Sequence, residues 1–201
     1  MVGGVTLRTK TEWRTGLLQA RRAIPADRRD ADARALTRWL PEVVCAGQTV
    51  AGYVPVGSEP GSAAMLDALL ALGVDVLLPV ARNDEDGRGL PLRWGRYRTG
   101  TLVPAEFGLR EPPPPWLPAE RIADAGVILV PALAVDRRGT RLGRGAGFYD
   151  RTLGHAAPDA RLIAVVRDDE LVDALPADPH DVRMTHALTP TRGLVMLPLR
   201  E

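Results

Sequence analysis

Cysteine is all but missing: Cys45 stands alone in 201 residues. No intramolecular disulfide can form and no cysteine-rich zinc site can be built, and a single thiol of this kind ordinarily serves as a small hydrophobe. An excess of either charge is also missing. The 26 Lys and Arg against 25 Asp and Glu leave a formal net charge of +1, which argues against a general nucleic-acid coat, since displacing counterions needs a basic surplus. No segment approaches the roughly 20 apolar residues of a membrane span, and the N-terminus lacks the apolar core of a secretory leader. Neither export nor membrane anchoring is expected, and a reducing cytoplasm suits the lone thiol. The three histidines, His155, His180 and His186, lack metal-ligand spacing, and no internal repeat is evident.

The 45% hydrophobic content suffices for one core of ordinary size, so residues 1–201 are expected to form one domain. Over 7–24 and 27–40, Leu, Trp and Ala recur at helical spacing among arginines, with Pro25 as the break. This predicts two N-terminal amphipathic helices within 7–40. An α/β core follows over 48–198. Short β-type runs lie at 49–54, 74–80, 127–130, 162–166 and 194–197, a helical stretch lies at 63–72 with Gly73 as its stop, and 90–97 can add a strand or hairpin. Nearly continuous apolar strands separated by helices describe a mostly parallel sheet covered on both faces. Residues 98–121, with Pro112 to Pro115 plus Pro104 and Pro118, read as a stiff surface connector.

The chemistry concentrates at 127–151. An apolar strand runs into a glycine-rich basic loop in which Gly143, Gly145 and Gly147 alternate with Arg144 and Ala146. Backbone N–H groups can turn toward an anion there while guanidinium groups add charge-assisted hydrogen bonds. Residues 147–155 read as a helix whose N-terminus faces the same anion. Asp150, one turn inside, can hold Mg²⁺ against phosphate oxygens. Lys10 and Arg14 share a helix face, although exposed basic residues are ordinarily just a solvated face. Glu59 lies past a strand's C-terminal end, the rim where parallel sheets bind ligands, and doubles as an ordinary helix-start acid. Asp181 sits in a proline-rich loop, where Asp commonly forms turns. Trp94 is a core or rim aromatic as readily as a wall for a ring.

The segment 141–151, Arg-Leu-Gly-Arg-Gly-Ala-Gly-Phe-Tyr-Asp-Arg, closely resembles the signature of the 5-formyltetrahydrofolate cyclo-ligases, also called 5,10-methenyltetrahydrofolate synthetases. Pro131, Asp136, Gly139, Arg141, Leu142, Gly143, Gly145, Gly147, Tyr149 and Asp150 fall in place, while Ala132, Val135 and Phe148 depart from the pattern. Phe148 lacks the hydroxyl of the tyrosine usual there. Lys10-Thr-Glu-Trp-Arg14 is similar to the family's opening Lys-x-x-x-Arg, and residues 175–182 to its Leu-Pro-x-x-x-His-Asp stretch. The resemblance runs from about Lys10 to Pro190.

It implies a single-domain three-layer α/β/α sandwich with a mostly parallel, Rossmann-like sheet. It also implies ATP- and Mg²⁺-dependent conversion of 5-formyltetrahydrofolate to 5,10-methenyltetrahydrofolate. Lys10, Arg14 and the run Arg141, Leu142, Gly143, Arg144, Gly145, Ala146, Gly147, Phe148 and Tyr149 would then bind ATP. Val54, Glu59 and 144–148 would bind the folate, Asp150 and Asp181 would hold Mg²⁺, and Arg144, Tyr149 and Asp150 would act in catalysis. The partners implied are small molecules, ATP and a reduced folate; beside them, no nucleic-acid or membrane partner is expected, and the protein is expected to be a monomer. Two alternatives stand beside this: another phosphate-binding α/β enzyme of sugar-phosphate isomerase or CoA-transferase type, and an RNA- or protein-binding module using Arg21-Arg22, Arg28-Arg29 and Arg137-Arg138. A dinucleotide oxidoreductase fits less well, because Phe148 occupies the last glycine position of Gly-x-Gly-x-x-Gly.

Overall fold

The computed structural model describes residues 8–179 and 181–199; His180 and the first seven positions, including the expected helix start at Leu7, lie outside them. Thr9 starts α1 (Lys10–Ala23) through a capping box in which its hydroxyl accepts from the Glu12 amide while Glu12 accepts from the Thr9 amide. Pro25 separates α1 from α2 (Ala26–Arg38), and a short α3 (Leu40–Val43) follows. Next come β1 (Thr49–Ala51), α4 (Ala63–Ala71), β2 (Asp75–Val80), β3 (Arg93–Arg96), β4 (Val103–Pro104) and β5 (Arg110–Glu111). The second half holds β6 (Val127–Pro131), β7 (Ala134–Asp136), β8 (Arg141–Leu142), α5 (Phe148–Thr152), β9 (Arg161–Val165), β10 (Leu171–Val172), β11 (His186–Thr189) and β12 (Gly193–Met196).

Seven strands form the central sheet in the order β12-β11-β9-β6-β1-β2-β3. The inner neighbours pair in parallel, and the two edge strands, β12 and β3, are antiparallel to theirs. Successive side chains of a strand point to opposite faces, so apolar runs feed two clusters. Val127, Leu129, Ile163 and Val165 join Leu36, Leu40, Met65, Leu66 and Leu69 of α2, α3 and α4 on one face. Ile128, Val130, Leu162 and Ala164 join Ile122, Ala125 and Leu153 on the other. Burial on both sides is why these strands read as continuous rather than alternating apolar runs. The result is the expected three-layer α/β/α arrangement.

The chain moves outward from β1 to β2 and then returns to β6 on the other side of β1. The strand order therefore switches between β1 and β6, and a crevice opens beyond their C-terminal ends.

Several elements differ from the sequence expectations. The run at 49–54 is a strand only to Ala51, after which the chain bends over the rim. β11 was not expected, because its four residues run straight into Pro190 and carry little apolar signal beyond Ala187 and Leu188. A small sheet, β10-β7-β8, was also not expected, since pairs of two or three residues leave no periodicity to read. It seats α1, whose Trp13 and Leu17 pack on Ala134, Leu142 and Leu175. The connector at 98–121 contains the short β4–β5 pair and a 3-10 turn, Glu106–Gly108, and runs into a second, Ala119–Asp124. The helix expected over 147–155 is α-helical for five residues and then tightens to 3-10 over Leu153–His155. There the Thr152 hydroxyl donates to the Phe148 carbonyl and accepts from the Leu92 amide, tying the helix to the strand layer.

Candidate active site

A cavity of about 510 Å³ occupies the switch-point crevice, a size suited to a drug-sized ligand. Tyr53, Val54, Val56 and Glu59 enter from the chain after β1, and Pro131, Ala132 and Leu133 from the end of β6 and the turn after it. The glycine loop supplies Arg141 and the whole run from Gly143 to Asp150. Residues distant in sequence thus meet because the topology places both strand ends at one rim. Leu142, also singled out in the sequence, is 1% exposed and packs behind the loop in the α1 seat rather than lining the cavity.

Two short-range motifs hold the loop. Asp136 accepts through Oδ1 from the amides of Arg138 and Thr140 and through Oδ2 from that of Leu175, so this acid builds the β7–β8 turn. Gly139 in that turn has φ +88°, and a Cβ there would lie 2.4 Å from the Met184 carbonyl oxygen. No side chain fits.

Arg144 Nε lies 3.1 Å from Glu59 Oε1, and the Val56 amide donates to Glu59 Oε2 at 3.0 Å. The loop arginine and the β1-side acid therefore pair with each other across the mouth. Arg141 pairs with Asp150 and also lies over the Tyr149 ring, 5.7 Å from its centre. From α1, Arg14 Nε donates to the Gly143 carbonyl at 3.0 Å. One turn earlier, Lys10 Nζ contacts Asp178 at 2.7 Å and Asp181 at 2.8 Å. Burial acts against the Lys10 charge, but the two carboxylates outweigh it and hold its pKa above the ordinary lysine value. Lys10, Arg14 and Asp181 stand at the loop's flank, outside the cavity lining.

The tyrosines set the polarity of the interior. Burial, reinforced by the Glu59 charge and opposed by Arg141, pushes the Tyr149 phenol well above its ordinary range. Burial does the same to Tyr53, whose hydroxyl donates to the Pro60 carbonyl. Both are protonated at neutral pH. The Tyr149 hydroxyl is buried without a hydrogen-bond partner among the described residues.

The model of the 5-formyltetrahydrofolate cyclo-ligase family matches residues 6–190. The chain belongs to that family. The cyclo-ligase of Mycolicibacterium smegmatis is 68% identical over 190 residues, covering 94% of this chain and 98% of the relative. The Escherichia coli cyclo-ligase is 30% identical over 178 residues, 87% of this chain and 96% of its own. The solved 5,10-methenyltetrahydrofolate synthetase of Aquifex aeolicus shares the fold, with a TM-score of 0.73 at 23% identity over 96% of this chain and 94% of that one. Cyclo-ligase membership sets aside the isomerase, transferase and oxidoreductase readings.

Among the cavity residues that were not legible as such in the sequence are Arg21 and Gly89. Arg21 resembled half of a surface basic pair, yet it is 1% exposed and lines the cavity, so it supplies no charge to a nucleic-acid surface. Gly89, in the 83–89 hairpin, gives no motif. A Cβ on it would come within 2.7 Å of the Phe148 ring, so the glycine lets that ring close one wall. For Arg21 the one available signal was its position on the inner face of α1, seven residues beyond Arg14.

Proposed function

We propose that this protein converts 5-formyltetrahydrofolate and ATP to 5,10-methenyltetrahydrofolate, ADP and phosphate. The observation that carries the reading is the convergence of Glu59, Arg141, Arg144 and the glycine loop on one switch-point cavity, in a chain 68% identical to a protein named for that activity. A formyl amide oxygen leaves poorly. In the proposed sequence it attacks the γ-phosphorus, the bond to the β-phosphate oxygen breaks and ADP departs. N10 then attacks the activated formyl carbon, the C–O bond breaks to release phosphate, and N10 loses its proton to give the methenyl bridge.

Phosphoryl transfer of this kind is mainly positioning and charge neutralisation. Arg14, Arg141, Arg144 and the loop around Gly143, Gly145 and Gly147 are assigned to the phosphates. Val54 and Glu59 are assigned to the folate ring. Tyr149 is assigned to donating its retained proton as a hydrogen bond at the reacting end. The Glu59–Arg144 pair is the latch between the two subsites, since each partner must exchange the other for ligand.

Among the described residues no group of three or more His, Cys, Asp or Glu gathers to hold a metal. Mg²⁺ characteristically takes one or two carboxylates plus substrate phosphates, so Asp150, with Asp181 on the flank, fits such a demand. Bound there, Mg²⁺ would neutralise charge on the triphosphate. The two apolar clusters share the strands of one sheet, which supports taking the chain as one domain. A monomer working in the cytoplasm completes the proposal.

The test is incubation with 5-formyltetrahydrofolate, ATP and Mg²⁺ while recording the near-ultraviolet band of the methenyl product. The band is expected to grow only when all three are present. No band, or one indifferent to ATP, contradicts the proposal.

A further inference from the structure

Beneath the cavity lies a set of buried charges outside the signature motif. Arg21 holds Glu170 through Nε at 2.6 Å and Nη2 at 2.7 Å, and Nη2 also donates to the Ala132 carbonyl at 2.6 Å. Glu170 accepts from the Arg167 amide at 2.7 Å; Arg167 continues to Asp32 at 3.1 Å and to the Ser58 carbonyl at 3.1 Å. Arg21, Asp32, Arg167 and Glu170 are each under 5% exposed, and their charges cancel. Among the described residues, one buried side-chain nitrogen of this set has no partner. Arg21 Nη1 is buried with no hydrogen-bond partner among the described residues, and Arg21 lines the cavity.

An unmet donor on a buried guanidinium is costly in the empty protein, and it persists where a ligand supplies the acceptor. Glu170 already neutralises Arg21. What Nη1 offers a ligand is therefore a fixed, directional N–H rather than a surplus positive charge, suited to a carbonyl oxygen and not to a phosphate. Arg144, assigned to phosphate, differs, for its side chain is 47% exposed. The reduced folate of the proposed function carries a matching edge, a ring N–H beside a ring carbonyl. Glu59, an acceptor, and Arg21, a donor, line the one cavity that would receive it.

We propose that Arg21 is a further substrate-binding residue, donating through Nη1 to the 4-oxo oxygen of the pterin ring, with Glu170 as its positioning residue. This rests on the functional reading above. Turnover of the unaltered protein is therefore measured first, and its absence removes both that reading and this one.

Affinities for 5-formyltetrahydrofolate, for its 4-amino counterpart and for ATP are then measured by calorimetry in the unaltered protein and in Arg21→Lys, which keeps the charge beside Glu170. A site built around a substrate carbonyl discriminates against an analogue lacking it. The unaltered protein is expected to prefer the 4-oxo compound by about ten- to a hundred-fold, the worth of a hydrogen bond to a charged group. Arg21→Lys should lose most of that preference while its ATP affinity is unchanged. Normal turnover with the preference intact in Arg21→Lys overturns the Arg21 assignment alone. Where that variant does not fold, the unaltered protein decides through its Arg21 side-chain ¹⁵N resonances. Movement on adding 5-formyltetrahydrofolate and not on adding ATP supports the assignment, and no movement with the folate overturns it.

Discussion

The two ends of the cavity use the same chemical pairing, arginine with carboxylate, to opposite ends. At the floor, Arg21–Glu170 and Arg167–Asp32 are nearly free of solvent, and each arginine also donates to a backbone carbonyl, of Ala132 and Ser58. At the mouth, Arg144–Glu59 and Arg141–Asp150 each have one exposed partner. A solvent-facing pair is worth between nothing and about 1 kcal/mol, so a phosphate or a folate can displace it at little cost. A buried pair with one partner removed costs about 3–5 kcal/mol. The floor therefore fixes the Glu59 segment and the turn after β6, and the mouth is free to exchange partners. Burial separates the ion pairs that hold their partners from those that can exchange them; residue type does not.

The comparison is broken most severely from the floor. Glu170→Ala, which strands Arg21 and releases Arg167, is expected to lower stability by about 3–5 kcal/mol, about 6–20 °C in midpoint for a chain of this size. Thermal unfolding followed by circular dichroism checks it, and a shift within error would show that the floor is not a scaffold. At the mouth the expectation reverses. Arg144→Ala should change stability by less than about 0.5 kcal/mol yet cost about 1.5–3 kcal/mol in kcat/KM through lost charge-assisted contacts. Steady-state kinetics beside the same melting curves separates the two effects.

Asp150→Asn should leave the fold intact and lower turnover at limiting Mg²⁺ by at least about tenfold, the cost typical of losing even a support of a metal ligand. A Mg²⁺ titration of turnover identical to that of the unaltered protein would remove Asp150 from the metal assignment. Tyr149→Phe acts in the opposite sense on the fold. Removing a buried hydroxyl without a partner should leave stability unchanged or raise it by up to about 1 kcal/mol, while turnover falls.

The tyrosines also fix an alkaline limit. Tyr53, Tyr97 and Tyr149 all ionise above the ordinary phenol, Tyr97 at about 12 through burial and its hydrogen bond to Asp67. A pKa raised in the folded state gives stability that is complete below the unfolded value, about 10, and is lost as pH rises beyond it. Stability should be level from neutral pH to about 10 and fall above it, with the phenolate absorbance appearing together with unfolding.

Much of this organisation was legible in the sequence where the signal is local. Apolar runs buried on both faces marked β2, β6 and β9, Pro25 and Gly73 marked helix limits, and the alternating glycines marked the loop. The short pairs β7, β8 and β10 were not legible, because their stability comes from α1 packing on them and not from their own pattern. The mouth was readable because a signature carries it. The floor was hidden, since Arg21, Asp32 and the Arg167–Glu170 turn come from three separate segments and look like solvated charges until the fold buries them.

The most direct test of the division between floor and mouth is side-chain ¹⁵N NMR of the arginines before and after addition of ATP and Mg²⁺ without folate. The account predicts that the Arg144 Nε signal moves as it leaves Glu59 for phosphate, while the Arg21 and Arg167 signals hold their positions. A stationary Arg144 signal at saturating nucleotide, or displacement of Arg21 and Arg167 along with it, would contradict it.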